Sequence, residues 1–561
     1  MRRQSQMNQF FPSKIKLFSL FIIILLAFVL RFYRVVDVPP SLNWDEVSIG
    51  YNAYSILKTG RDEWGALLPT HFKSYGEYKL PVQIYASIPA IAIFDLNDFS
   101  VRLTPVIYGT LTVLLIFLLG RGLFKSNVVG LASAFLLAIS PWHIQLTRAS
   151  FESSFALFWI VLGVWLLLKG FYHPKWSIMS MIPFAVSVYT YNTTRVFTPL
   201  FLFSILIIHF NTLKKYQKYI FLSIAVFAIL MLPLVPYYTS GEGNSRYKLV
   251  SITDDPGLIP RVNERRGNSE LPWILPRLIH SKYSYTAAYF IKNYFSHLTP
   301  QFLFISGAPH KQHHVQNIGQ LYLIQAPFLL LGLFLIFKNK NQFRWLILSW
   351  MLLSFIPVSI TNDSIPHALR TLVALPTYLI LSAYGFYVFY QWLVNKKNIV
   401  KVSILFTLAI ILGLQFTSYI KNYYFIYPKN YSRDWQYGNK QAVEFIKDRY
   451  EDYDLIVFTR AYGEPHMFTL FYSNYDSAKF RNDPNLERFE TFDWVRVLKF
   501  DKFYFPDLGD EGTGFRDIIA QNPDKRILFI GKQVDFPQEH YRLKTIDFLN
   551  GDRAFDIVEI K

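Results

Sequence analysis

Cysteine is absent from all 561 residues, which excludes disulfides, thiolate metal sites and a cysteine nucleophile. Charge is scarce as well: Asp, Glu, Lys and Arg make up only 17 % of the chain, against about a quarter in soluble domains. Acids are the scarcer sign, 39 against 57 Lys and Arg. No fixed-period repeat or low-complexity segment stands out. What fills the chain is apolar: 52 % hydrophobic and 18 % aromatic residues, with a mean hydropathy of +0.21. Many apolar runs reach the roughly 20 residues with which a helix crosses a bilayer. The composition is that of a mainly α, multi-pass membrane protein.

The net charge of +18 raises nucleic acid as a partner, and its distribution excludes it. Residues 421–561 hold 21 basic and 24 acidic residues, so the remaining 36 basic and 15 acidic ones lie before residue 421. The excess sits in the apolar part rather than as a basic stripe on a soluble domain. Apolar runs predict about eleven spans: 15–33, 101–120, 127–141, 152–169, 176–191, 196–213, 218–238, 319–337, 344–361, 371–393 and 401–420. With the amino terminus in the cytoplasm, the short inner segments carry 17 Lys and Arg, from Arg2 and Arg3 to Lys396, Lys397 and Lys401. The short outer segments carry Arg148, Arg195 and Arg370. This asymmetry is the positive-inside rule, and it predicts a polytopic bundle in the plasma (inner) membrane. The first span reads as uncleaved, because Arg31-Phe-Tyr-Arg34 follows it in place of a small-residue cleavage site. The expected organisation is a membrane domain over 1–420, with outer loops 34–100 and 239–318, and an extracytoplasmic α/β domain over 421–561. In the latter, helices are predicted at 434–450 and 515–521, strands at 454–459 and 526–530, and a hairpin over 541–548 and 554–560. No Gly-rich phosphate loop or nucleophile elbow occurs there, so it is expected to shape acceptor access.

On this topology all fifteen acids before residue 421 face outward, which the positive-inside rule does not require. A site on the outer face is the natural cause. Asn43-Trp44-Asp45-Glu46 opens a short amphipathic helix over 47–58. One reading is structural: Ser41 or Asn43 caps the helix and the two acids complement its dipole. The other is chemical: a carboxylate at the membrane surface acts as general base on an acceptor hydroxyl.

A first span, an Asp-Glu pair in a long outer loop and then Lys79-Leu80-Pro81-Val82 resemble the GT-C glycosyltransferases, in particular the protein O-mannosyltransferase and aminoarabinose transferase group (glycosyltransferase family 39-like). Ser100-Val-Arg102-Leu-Thr-Pro105 is similar to the start of that group's second span, and Ser140-Pro141 through Arg148 to Glu152 to its second outer loop. Glu77 stands one position off the acid that relatives place directly before the lysine. The resemblance implies transfer of a sugar from a polyprenyl phosphate at the outer leaflet with inversion. It also implies Asp45 as the catalytic carboxylate, with Glu46 beside it.

Lys79, Arg102 and Arg195 are outer-face cations suited to the donor phosphate; their structural alternative is snorkelling to headgroups. Glu152 is the expected partner of Arg195. His310, His313 and His314 have a spacing that allows a divalent metal, although solvated loop histidines are commoner. Asp363, His367 and Arg370 lie in a Pro turn between two span ends, where they either neutralise one another or face a cavity. Arg148 completes the set. No cofactor is required by this chemistry. The expected function is therefore a membrane glycosyltransferase whose partners are a polyprenyl-phosphate-linked sugar, membrane lipid and a protein, lipid or glycan acceptor. The rivals are an oligosaccharyltransferase-type enzyme and a lipid-linked sugar flippase, the latter disfavoured by the near absence of acids inside the spans.

Overall fold

The computed structural model describes residues 13–272, 274–491, 494–509, 513–537 and 540–560; Arg2 and Arg3 lie outside them. The chain forms two compact units. One comprises Met1–Tyr33, Pro105–Thr147 and Phe151–Lys421; the other comprises Arg34–Thr104, Arg148–Ser150 and Asn422–Lys561. The step from Lys421 to Asn422 falls where composition changes. The first outer loop, however, groups with the tail rather than with the spans.

Each of the eleven apolar stretches contains helix, although residues 319–324 of the eighth precede its helix and the ninth ends at Ser359. Among the described residues, six helices are long and apolar enough to cross a membrane, the first over Lys14–Phe32, against the eleven spans expected. In chain order the helices used below are α1 (Ser13–Phe32), α2 (Trp44–Thr59), α3 (Pro81–Phe94), α4 (Asp98–Phe124), α5 (Asn127–Ala138), α6 (Pro141–Arg148), α7 (Glu152–Gly170), α8 (Lys175–Val188), α9 (Asn192–Ile208), α10 (Phe210–Thr239), α11 (Gln325–Lys338), α12 (Arg344–Ser359), α13 (Ala368–Val394) and α14 (Asn398–Tyr431). α5 and α6 form a bent pair at 56°, and α8, α9, α11 and α12 are shorter apolar helices.

The α5–α6 break has an identifiable seal. Arg31, fully buried near the end of α1, donates to the carbonyls of Ala138 and Leu137 at 3.1 Å each and lies 2.7 Å from His143 Nδ1. At the break the Leu137 carbonyl keeps the Ser140 N–H at 3.3 Å, and Arg31 supplies donors that the interrupted helix does not.

The second unit is built on a seven-stranded mixed sheet in the order β4-β5-β6-β3-β7-β9-β8. Its strands are β3 (Leu455–Phe458), β4 (Glu487–Glu490), β5 (Val495–Phe500), β6 (Phe503–Tyr504), β7 (Ile527–Gly531), β8 (Lys544–Asp547) and β9 (Arg553–Ile560); β1 (Phe72–Lys73) and β2 (Tyr78–Lys79) form a separate hairpin. β3 runs parallel to both β6 and β7, and its apolar run Leu-Ile-Val-Phe is that of a strand covered on both faces. Ile456 and Phe458 enter one core with Leu528 and Ile530, whereas Val457 enters another with Phe515, Phe529 and Phe536.

The first core explains why the loop belongs here. Val47, Ile49, Ala53 and Ile56 of α2 share it with Met467, Phe468 and Phe471, each of these side chains larger than alanine contributing about 1.5–3 kcal/mol on burial. A Cβ on Gly50 would stand 2.6 Å from the Phe471 ring and 2.7 Å from Val101. Only glycine permits that close crossing.

Candidate active site

α2 starts with a complete capping box: Asn43 accepts from the Glu46 N–H at 2.9 Å, and the Glu46 carboxylate accepts from the Asn43 N–H at 3.2 Å. Asp45, between the two capping residues, lies in the first turn of this helix. Lys79 ends β2 opposite Phe72, and its ammonium donates to Asp45 Oδ1 at 2.5 Å. The lysine side chain is 4 % exposed and the aspartate 36 %. A nearly dry ammonium thus meets a carboxylate that reaches solvent.

Glu46 has the opposite setting. It is fully buried and grips the equally buried Arg102 by two hydrogen bonds, 3.0 Å from Nε and 3.1 Å from Nη2. Its Oε1 also accepts from the Ser150 N–H at 3.0 Å. Arg102 gives its other donors to the carbonyls of Val35, Pro39 and Ser41. Arg148, fully buried, donates to the carbonyls of Arg34 and Val38. The two guanidinium groups therefore brace the 34–41 segment that leads into α2, a different use from the phosphate- and substrate-binding ones expected of them. Glu46, expected beside the catalytic carboxylate, is part of the same brace.

The tail supplies groups that local sequence patterns did not single out. Gln436 Oε1 accepts from the Trp44 N–H at 2.8 Å, while its Nε2 donates to the Tyr462 carbonyl at 2.6 Å. Gly463, at φ +124°, leaves no room for a Cβ, which would lie 2.4 Å from the Trp44 ring. Tyr75 donates to the Trp44 carbonyl at 2.9 Å and stacks on Trp494 with centroids 5.8 Å apart. Two of this unit's buried carboxyls are shifted furthest upward. Burial pushes Glu63, hydrogen-bonded to Asn52 at 2.9 Å, up to about 7; burial does the same to Glu464, which accepts from Trp494 Nε1 at 2.5 Å.

The remaining candidates belong to the first unit. His310 and His313 stack with centroids 3.6 Å apart, and His313 lies 5.0 Å from His367. Burial, then neighbouring positive charge, holds His313 and His367 far below the usual imidazole range, so both are neutral. Arg370 donates to Asp363 at 2.7 Å and to Thr361 Oγ1 at 2.8 Å. Burial pushes the Asp363 carboxyl up, but the Arg370 guanidinium and the Ser364 hydroxyl outweigh it and leave the group below its ordinary value. Tyr191 is within electrostatic reach of Arg370, Glu152 and Arg246. His314 is structural: its Nε2 contacts the Ile318 carbonyl at 2.5 Å in the space left by Gly307. Arg195 lies over the rings of Tyr237 and Tyr238 at 4.7 and 5.6 Å, aromatic partners where a carboxylate was expected. Among the described residues, no group of three His, Asp or Glu side chains is placed to hold a metal ion.

Comparison with known proteins decides the fold. Archaeal oligosaccharyltransferase AglB from Archaeoglobus fulgidus, in complex with an inhibitory peptide and a dolichol-phosphate, matches with a TM-score of 0.53 at 13 % identity, covering 93 % of this chain and 70 % of that one. ArnT from Cupriavidus metallidurans in the apo state matches with a TM-score of 0.51 at 10 % identity, covering 97 % of each chain. The chain has the GT-C glycosyltransferase fold. Within this GT-C fold, residues 81–237 match the family described as dolichyl-phosphate-mannose-protein mannosyltransferase. That stretch begins at the first residue of α3, two positions after Lys79, and ends on Tyr237 beneath Arg195. The putative mannosyltransferase YkcB of Bacillus subtilis (strain 168) is 28 % identical over 186 residues, 30 % of this chain. The match spans about a quarter, 26 %, of that relative's length.

Proposed function

We propose that this protein is a membrane glycosyltransferase that moves a sugar from a polyprenyl-phosphate donor to an acceptor hydroxyl at the outer face of the membrane. The observation that carries the reading is the half-exposed Asp45 carboxylate held 2.5 Å from the buried Lys79 ammonium. The GT-C fold supports it, as do the mannosyltransferase family match and a structural relative bound to a dolichol-phosphate. In the proposed step the acceptor oxygen attacks the anomeric carbon as its bond to the phosphate oxygen breaks. The acceptor proton passes to Asp45, and the lipid phosphate departs with the electron pair. A phosphate leaving group needs no protonation, so one carboxylate suffices, unlike the pair used in glycoside hydrolysis. Lys79 is placed to transfer its attraction from Asp45 to the departing phosphate, where charge develops in the transition state. Arg102, Arg148 and Glu46 are proposed as the brace behind Asp45.

The same reading makes all eleven apolar stretches membrane spans, with the amino terminus cytoplasmic and residues 421–561 outside. α3 then lies in the interface, too short at 14 residues to cross the roughly 30 Å core. The test is to incubate purified protein with polyprenyl-phosphate monosaccharides and with a lipid-linked oligosaccharide, reading release of the lipid phosphate by mass spectrometry. Release from a monosaccharide donor is expected. Release from the oligosaccharide alone would move the reading to the oligosaccharyltransferase type, and lipid movement across vesicles without release would replace it with transport.

A further inference from the structure

Four helices of the first unit, α7, α8, α9 and α10, surround an apolar cavity of about 320 Å³ whose lining includes Leu167, Phe171, Met181, Phe203, Ile224 and Phe227. None of its lining residues is charged. Phe203 and Ile224 line it while remaining 62 % and 55 % exposed, so the cavity opens sideways, where a spanning bundle meets lipid. Its volume is at the lower end for ligand sites, enough for one chain rather than a whole lipid.

One end of this cavity is strongly basic. The lining residues Gly170, Pro174, Leu213 and Tyr219 are chain neighbours of Lys169, Lys175, Lys214 and Lys218. Lys175, Lys214, Lys215 and Lys218 are exposed, and neither 165–176 nor 209–224 contains an acid. Lys169 lies over the rings of Trp165 and Trp176 at 3.8 and 4.7 Å, and indoles of this kind settle at headgroup level. A dry slot for a hydrocarbon chain thus has lysines next in sequence to its lining residues at one end, without acids in the same segments.

We propose that this cavity is a binding site for an anionic glycerophospholipid of the inner leaflet, with one acyl chain in the slot and the phosphate among the lysines. The leaflet follows from the positive-inside orientation proposed above. The slot itself accepts an acyl chain from any lipid. Selectivity resides in the lysines, because basic residues near the surface favour anionic headgroups over zwitterionic ones.

Native mass spectrometry of the full-length protein with added phosphatidylglycerol or phosphatidylcholine tests this. Phosphatidylglycerol is expected to be retained preferentially. The combined variant Lys214→Gln, Lys215→Gln and Lys218→Gln is expected to lower the ratio of the two by up to about 10²-fold. Ala228→Phe, which fills the wall of the slot, should lower retention of both lipids and leave their ratio unchanged. Equal retention by the unaltered protein, a preference that survives loss of the three lysines, or full retention by Ala228→Phe would each overturn the site. Because this readout involves no sugar transfer, its failure and that of the transferase reading are separately visible.

Discussion

Two neighbouring carboxylates open α2, and the surroundings of one are the reverse of the other's. Around Asp45 the partner is a single ammonium and the carboxylate remains 36 % exposed. Around Glu46 there is no solvent, and Arg102, Asn43 and Ser150 all donate to it. A carboxylate encased in donors can only hold; one that keeps an open side can exchange its partner for a substrate. The contrast teaches that the resting structure separates the two roles by exposure, not by residue type.

Breaking the Asp45 side should produce the largest effect. Asp45→Asn is expected to lower transfer by about 10³-fold, the range of a positioned general base, while the protein still folds, with a lowered thermal midpoint because the buried Lys79 ammonium loses its counter-charge. Full turnover in a lipid-phosphate release assay would remove Asp45 from the chemistry. On the Glu46 side, Arg102→Ala should cost about 3–5 kcal/mol of stability by stranding a buried carboxylate. Loss of transfer with an unshifted midpoint would show that Arg102 contacts the donor after all.

A third measurement sharpens the contrast with a buried acid that lacks such a partner. Glu63 is pushed up to about 7 from an ordinary 4.5, so the folded state favours its protonated form. Its contribution is full below about pH 4.5 and is lost as pH rises towards 7, where the unfolded chain is already ionised. Glu63→Gln should therefore be more stable than wild type above pH 7, by about 1–3 kcal/mol, and no more stable at pH 4. Glu464, shifted the same way, leaves part of the decline in place. The smallest effect is expected from Gln436→Ala, which frees the first N–H of α2: kcat should fall about tenfold with the donor KM unchanged. Gln436→Glu, which keeps the accepting oxygen, should recover much of it. A fall in donor affinity instead would place Gln436 in donor binding.

Much of the spanning part was legible because apolar runs of membrane length have few alternatives to helix. The Asp45–Lys79 pair was legible only as two residues in motif order; nothing local says that they touch. The brace was misread. Arg102 and Arg148 look like outer-face cations in sequence, and only the carbonyls of 34–41, gathered by the fold, reveal their use. In the tail, β3, β7 and the β8–β9 hairpin were readable, being apolar or joined by Asn550-Gly551. β4 to β6 were missed, because Glu487-Arg-Phe-Glu and Val495-Arg-Val-Leu-Lys-Phe carry charges on half-exposed faces. Gln436 lies 392 residues from Trp44, beyond the reach of any periodicity.

Arg31 has a consequence for how the protein can be altered. α1 buries little of itself, only 17 % of its apolar window, and by hydropathy any membrane anchor could stand in for it. Yet its Arg31 closes the carbonyls of Leu137 and Ala138 at the α5–α6 break. A chimera in which α1 is exchanged for a generic leader helix would reach the membrane equally well, yet it would take the Arg31 donors from the Ala138 and Leu137 carbonyls and leave the latter to the Ser140 N–H at 3.3 Å. The first helix is thus less an anchor than a keystone, and exchangeability ends at one guanidinium.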